Sequence, residues 1–335
     1  MIKKKFICAF CSFLLCTLMF ASKKSIVCSA FPQYDWVLNI LGKNNDVFEM
    51  TLLQNNGTDL HSFQPSVKDV AVVSVCDMFV YVGGESDYWV EKILNNAKNK
   101  NMVVVNLLDV LGDKIKEEEI VEGMQVSDGH DDDGHEHAQH AQHAHDDDEH
   151  DEDEDLIEYD EHVWLSLKNA SFIVEMLCQK IQKMDAPNAD VYRKNADEYN
   201  RRILSLDAEY ESIVKNAKRK VILFADRFPF RYLADDYNLT YFAAFAGCSA
   251  ESEASFETIA FLAETINKYN LNSVIVLEKS DTKIADTVIS ASKQKNLNVL
   301  RMDSLQSVTK VDIKNGKNYL LVMENNLDVL KKALN

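Results

Sequence analysis

Of the nine histidines in this 335-residue chain, seven (His130, His135, His137, His140, His143, His145 and His150) fall inside residues 128–155. The same tract holds 14 Asp or Glu and no Lys or Arg, against a net charge of −18 for the whole chain. Interleaved imidazole and carboxylate suit divalent zinc and its first-row neighbours. An acidic spacer alone would need no histidines. The tract has almost nothing apolar to bury, so it is expected to be a disordered loop that gathers metal. The other two histidines, His61 and His162, stand at loop-to-helix junctions. That restriction marks them as candidate metal ligands, although His162 could also cap a helix.

Such ligands need a scaffold, and the sequence outlines one. Apolar runs at residues 25–31, 47–53, 78–82 and 102–106 read as strands, alternating with helices at residues 34–41, 67–75 and 88–99. His61 then lies in the polar loop 54–66, after the second strand, where open α/β sheets bind ligands. Beyond the acidic tract come a helix at 163–184 and a long charged helix from Pro187 to about Lys218. The apolar stripe of the second is Tyr192, Ala196, Tyr199, Ile203, Leu206, Tyr210 and Ile213. A second alternating set follows, with strands at 220–225, 239–245, 273–277 and 297–302. Its helices are expected at 230–237, 255–268, 283–295 and 319–334. Alternation of this kind means parallel strands and crossover helices, hence an α/β protein of two lobes joined by a long rigid helix. The expected divisions are a signal peptide at 1–22, a first lobe at 23–165, a helical linker at 166–218 and a second lobe at 219–335.

Composition narrows the function. Lys3, Lys4 and Lys5 precede an uncharged apolar run at 6–21, the layout of a secretory signal, with an uncleaved anchor as the alternative. Phe13-Leu14-Leu15 before Cys16 makes a poor lipid-attachment box. Cys28, Cys76, Cys178 and Cys248 remain after export, too few and too far apart for a disulfide scaffold. There is no GxxxxGK phosphate loop and no further membrane span. The acidic balance, without a basic stripe, argues against nucleic acid. The chain is expected to be an exported monomer, either periplasmic or held at the outer face of the cytoplasmic membrane. A zinc hydrolase is a competing reading, but no HExxH helix is present.

The segments Val27-Cys28-Ser29-Ala30-Phe31-Pro32-Gln33-Tyr34-Asp35, Gly57-Thr58-Asp59-Leu60-His61-Ser62-Phe63, Val80-Tyr81-Val82-Gly83-Gly84 and Asp160-Glu161-His162-Val163-Trp164 together resemble the metal-binding solute receptors of ABC importers. Trp89, Phe230-Arg231-Tyr232-Leu233, Val276-Leu277-Glu278 and the terminal helix with Asn325-Asn326 extend the resemblance over almost everything after the signal. The acidic histidine insert marks the zinc-uptake (ZnuA-like) branch. The resemblance implies two Rossmann-like lobes with a metal site in the cleft between them. It also implies a receptor, not an enzyme, that delivers Zn2+ to an ABC permease with a separate ATPase. Mn2+ or Fe2+ is the alternative cargo, and a zinc buffer or adhesin role a more distant one.

Carried over residue by residue, the resemblance makes His61 and His162 the first two ligands and Asp303 the fourth. The third position is occupied by Arg227, whose guanidinium has no lone pair for a metal. Either water completes the site or a neighbour replaces the missing ligand, with Glu251 and Cys248 as equal candidates. Arg227 would then pair with Glu251 or Glu253. Trp89 and Trp164 are expected in the lobe cores, and Glu278 in a supporting role near the cleft.

Overall fold

A computed structural model describes residues 23–43, 45–125, 158–249 and 253–335. The expected signal peptide, the acidic histidine tract and Glu251 lie outside these residues. Among the described residues, no helix is long and apolar enough to cross a membrane.

The first sheet contains β1 (Lys24–Cys28), β2 (Phe48–Leu52), β3 (Met78–Tyr81) and β4 (Val103–Asn106), all parallel, in the order β2-β1-β3-β4. The chain winds to one side of β1 and then returns to the other, so a switch point lies between β1 and β3, where loops diverge and leave a crevice. Helices α1 (Phe31–Leu41), α2 (Val67–Val75), α3 (Trp89–Asn95) and α4 (Leu107–Leu111) belong to this half. Helix α1 starts three residues before the expected residue 34, taking in Pro32. The proline occupies the first turn, where its missing N–H costs nothing. Ser66 and Asp69 form a reciprocal capping box that fixes the start of α2 and closes the loop bearing His61.

Two helices follow, α5 (Leu167–Met184) and α6 (Ala189–Lys215). The predicted start of α5 at Val163 is instead a 3-10 turn at Val163–Leu165, with Ser166 capping the helix proper. At 27 residues, α6 is about 40 Å long. Its buried stripe is the expected one except at the end, where Val214 is buried and Ile213 only partly so.

The second sheet repeats the first, in the order β6-β5-β7-β8. In chain order its elements are β5 (Val221–Phe228), α7 (Arg231–Asp236), β6 (Thr240–Ala246), α8 (Phe256–Tyr269), β7 (Ser273–Leu277), α9 (Lys283–Ala291), β8 (Asn298–Met302), α10 (Lys310–Lys314) and α11 (Tyr319–Ala333). Strand β5 extends past its expected end at Ala225, and its register against β6 shifts between Phe224 and Arg227. That irregularity carries Arg227 to the carboxyl edge of the sheet.

The two halves are tied together by buried bonds. The Trp164 indole donates to Ser304 O (2.9 Å), and the Tyr319 hydroxyl donates to Trp164 O (2.7 Å). Tyr210 of α6 donates to Met323 O of α11 at 2.6 Å. Near the cleft, Lys279 Nζ donates to Gly57 O and Ser307 O at 3.1 and 2.7 Å. Trp164 is wholly buried and Trp89 nearly so, as core anchors should be.

Candidate metal centre

His61 lies on a 3-10 turn (Leu60–Ser62) after β2, capped by Asp59, whose Oδ1 accepts the His61 amide at 3.1 Å. His162 starts the turn before α5 and is fully buried. It caps nothing with its side chain. Instead Asp160 Oδ1 takes both the His162 backbone N–H (2.8 Å) and ring Nδ1 (2.9 Å). A carboxylate facing Nδ1 fixes the proton there and leaves the Nε2 lone pair free, the arrangement found behind metal-binding imidazoles.

That Nε2 lies 3.2 Å from Nε2 of His61. Two ligand nitrogens on one tetrahedral zinc, each at about 2.0–2.1 Å, would be roughly 3.3 Å apart. The histidines therefore stand at close to the spacing that a shared cation requires. With the His162 proton on Nδ1, the contact is a hydrogen bond donated by His61 Nε2–H. His61 Nδ1 then accepts from Ser86 Oγ at 2.8 Å, with Glu161 Oε2 3.5 Å away. Gly84 permits this packing: with φ of +77°, any Cβ there would lie 2.3 Å from Glu161 Oε1. The open backbone lets Glu161 Oε1 accept the Ser86 amide at 2.8 Å.

Burial, then the charge of His162, depress the His61 pKa to about 3, so the ring is neutral over the physiological range. Burial raises Glu161 to about 7, against the hydrogen bonds from Ser86. The pocket thus disfavours both a proton on His61 and an unbalanced negative charge on Glu161.

Among the described residues of the second half, Cys248 is the one whose ligand atom joins the pair. Its Sγ and ring nitrogens of His61 and His162 all lie within 4.8 Å of one another. Burial, followed by the charges of Glu118, Asp160 and Glu161, pushes the thiol pKa well up, so it is a thiol until a cation displaces the proton. Arg227 does not pair with Glu253. Its Nη2 reaches across the cleft to Asp59 Oδ2 at 2.7 Å. The neighbouring Asp226 is also engaged, accepting from the Leu277 amide at 3.0 Å.

Among the described residues, Asp303 joins no three-residue ligand cluster with the histidines. Its Oδ1 accepts the Leu305 amide at 2.9 Å and its Oδ2 pairs with Lys317 at 2.5 Å, so its place is in shaping the loop after β8. Within that loop Leu305 adopts the left-handed conformation at φ 65°, a strained choice for a leucine. The strained turn presents Gln306, which sequence reasoning missed. Its carboxamide lies between the Asp59 carboxylate and His162 Nε2. Its only sequence signal was its position three residues after Asp303. Glu278 supports the same loop, accepting from the Ser304 amide and hydroxyl at 3.0 Å.

The model of the family "Zinc-uptake complex component A periplasmic" matches residues 26–333. The zinc-binding lipoprotein AdcA of Streptococcus pneumoniae R6 is 30% identical over 311 residues, covering 93% of this chain and 56% of that protein. This chain therefore spans about half the length of its streptococcal relatives. The high-affinity zinc uptake system protein ZnuA of Bacillus subtilis is 27% identical over 317 residues, covering 93% and 88% of the two chains. Among solved structures, the Zn(II)-bound ZnuA-like domain of S. pneumoniae AdcA aligns with a TM-score of 0.67 at 27% identity, covering 93% of this chain and 99% of that one.

Proposed function

We propose, from the premise that the chain belongs to the periplasmic zinc-uptake component A family, that it is an exported receptor which captures Zn2+ in its cleft and yields it to an ABC permease driven by a separate ATPase. The observation that carries this reading is the opposed pair of Nε2 atoms 3.2 Å apart, with the Cys248 thiol beside them. Two imidazoles and a thiolate are a zinc donor set, while Mn2+ prefers carboxylates and water. Zinc is accordingly the favoured cargo over Mn2+ or Fe2+.

The residues prepare capture in a definite way. Asp160 holds His162 in the ligand tautomer before the ion arrives. His61 must move its proton from Nε2 to Nδ1, where Ser86 Oγ and the Glu161 carboxylate face it. Cys248 gives up its thiol proton on coordination. Gln306 offers a neutral oxygen as a fourth donor. The Arg227–Asp59 pair joins the two halves across the cleft, which favours local rearrangement of the ligands over wide closure of the lobes on loading.

Metal analysis of the full chain, with chelator competition to isolate the tight equivalent, tests the reading. His61→Ala and His162→Ala should each weaken that equivalent by about 100-fold or more, because a ligand matters at least as much as the groups behind it. Unchanged tight binding in both variants would reject the assignment.

A further inference from the structure

We propose that Glu118, Glu158 and Cys248 form a second, outer divalent-metal site at the mouth of the cleft, from which an ion passes inward to the histidine pair. The carboxylate oxygens of Glu118 and Glu158 and the Cys248 sulfur lie within 4.8 Å of one another. Fixed backbone brings them together. Residues 116–118 and 158–160 run antiparallel, with the Glu118 amide donating to Glu158 O at 2.8 Å, the Asp160 amide donating to Lys116 O at 2.9 Å, and a bridge between Glu117 and Tyr159. Cys248 enters from the loop after β6, its amide donating to Glu118 Oε1 at 2.8 Å.

A neighbouring group also calls for a cation: Glu161 is only 2% exposed, and its Oε2 takes no hydrogen bond, with His61 Nδ1 3.5 Å away. It lines the same cavity, of about 460 Å³, as Glu158, Cys248, Ser86 and His61. An unsatisfied buried carboxylate oxygen is costly unless a cation or donor reaches it.

Cys248 belongs to both ligand groups. An ion held first by the two carboxylates and the thiolate can exchange oxygen donors for imidazoles while the sulfur stays bound. His162 is wholly buried whereas Glu158 is exposed, so the outer group is the one that solvent ions meet first.

This proposal rests on the histidine pair being the inner site, and the test separates the two. The probe is Co2+ added to the full chain, read by its thiolate-to-cobalt charge-transfer absorption. Residues 128–155 contain no cysteine, so the acidic tract does not contribute to this band. Cys248→Ser serves as the control that assigns it. With His61→Ala and His162→Ala combined, a weaker-binding band should persist, and adding Glu118→Gln and Glu158→Gln should abolish it. Alone, Glu118→Gln with Glu158→Gln should leave the tight equivalent intact, which also confirms folding, while stopped-flow loading slows by about tenfold, the scale of losing supporting metal contacts. Disappearance of the band on removing the histidines alone, or loading at the wild-type rate without the two glutamates, would overturn the outer site. Full tight binding without the histidines would overturn the inner reading, and the relay with it.

Discussion

Arg227 and Asp59, 168 positions apart in sequence, form an ion pair of 2.7 Å across the cleft. Burial works to raise the Asp59 pKa, but the hydrogen bond and charge of Arg227 hold it below the usual carboxylate range. A guanidinium thus stands where the family resemblance calls for a metal ligand, and it fastens the second half of the molecule to the loop that carries His61. Both side chains retain 21% exposure, so the pair is neither dry nor freely solvated. Its coupling should fall at about 1.5–3 kcal/mol, the range of charge-assisted hydrogen bonds. A double-mutant cycle of Arg227→Met and Asp59→Asn, followed by urea unfolding of the metal-free chain, measures it. Coupling below about 0.5 kcal/mol would place the pair with ordinary surface salt bridges.

Zinc affinity should depend on pH through Glu161 and Cys248, not through His61. The sequence alone suggests a fall below about 6.5, the ordinary imidazole pKa. With burial and His162 depressing His61 to about 3, protons do not compete for that ring at pH 5–8. Glu161, raised to about 7 by burial, is protonated in the metal-free chain below that pH and favoured as carboxylate once a cation is near. Binding should therefore release a proton from Cys248 throughout and a further one from Glu161 below pH 7. Calorimetric titrations in buffers of different ionisation enthalpy count those protons. Glu161→Gln should remove the extra release below pH 7 and leave the remainder.

Asp303 and Gln306 make opposite predictions although they share a loop. Asp303→Asn keeps an acceptor for the Leu305 amide and loses only the pairing with Lys317. Zinc affinity should stay within about threefold, as for loss of a partly exposed ion pair. Gln306→Leu removes the oxygen next to His162 and the donor to Asp59. Affinity should fall by about tenfold or more. Chelator competition on the two variants distinguishes them, and the reverse ranking would make Asp303 the ligand.

What the sequence revealed follows from how local each feature is. The alternation of apolar runs and helices is local, so the two-sheet architecture was legible; α4 and α10, at five residues each, are too short to register a period. His61 and His162 were legible through scarcity. Arg227 was legible as a departure, but its partner was not, because the shift in β5 and the long separation from Asp59 leave no sequence trace. Gln306 carries no charge and belongs to no motif. Only the left-handed Leu305 turn places it beside His162.

Asp35 offers a test of the fold that does not involve metal. It is buried where α1, α6 and α11 meet, and its Oδ2 accepts from the Tyr199 hydroxyl (3.1 Å) and the Tyr319 amide (3.2 Å). Burial outweighs these bonds and raises its pKa from 3.8 to about 6. A carboxyl whose folded pKa lies above its unfolded value contributes stability that is complete below about pH 4 and disappears as pH rises through about 6. Asp35→Asn keeps a neutral acceptor at every pH and has no such dependence. The stability of the variant relative to the parent should therefore shift by roughly 3 kcal/mol in favour of asparagine between pH 4 and pH 8, at 1.36 kcal/mol per pKa unit. Urea unfolding of both proteins in excess chelator across that interval measures the shift. A constant difference would mean that Asp35 titrates alike in the folded and unfolded chains.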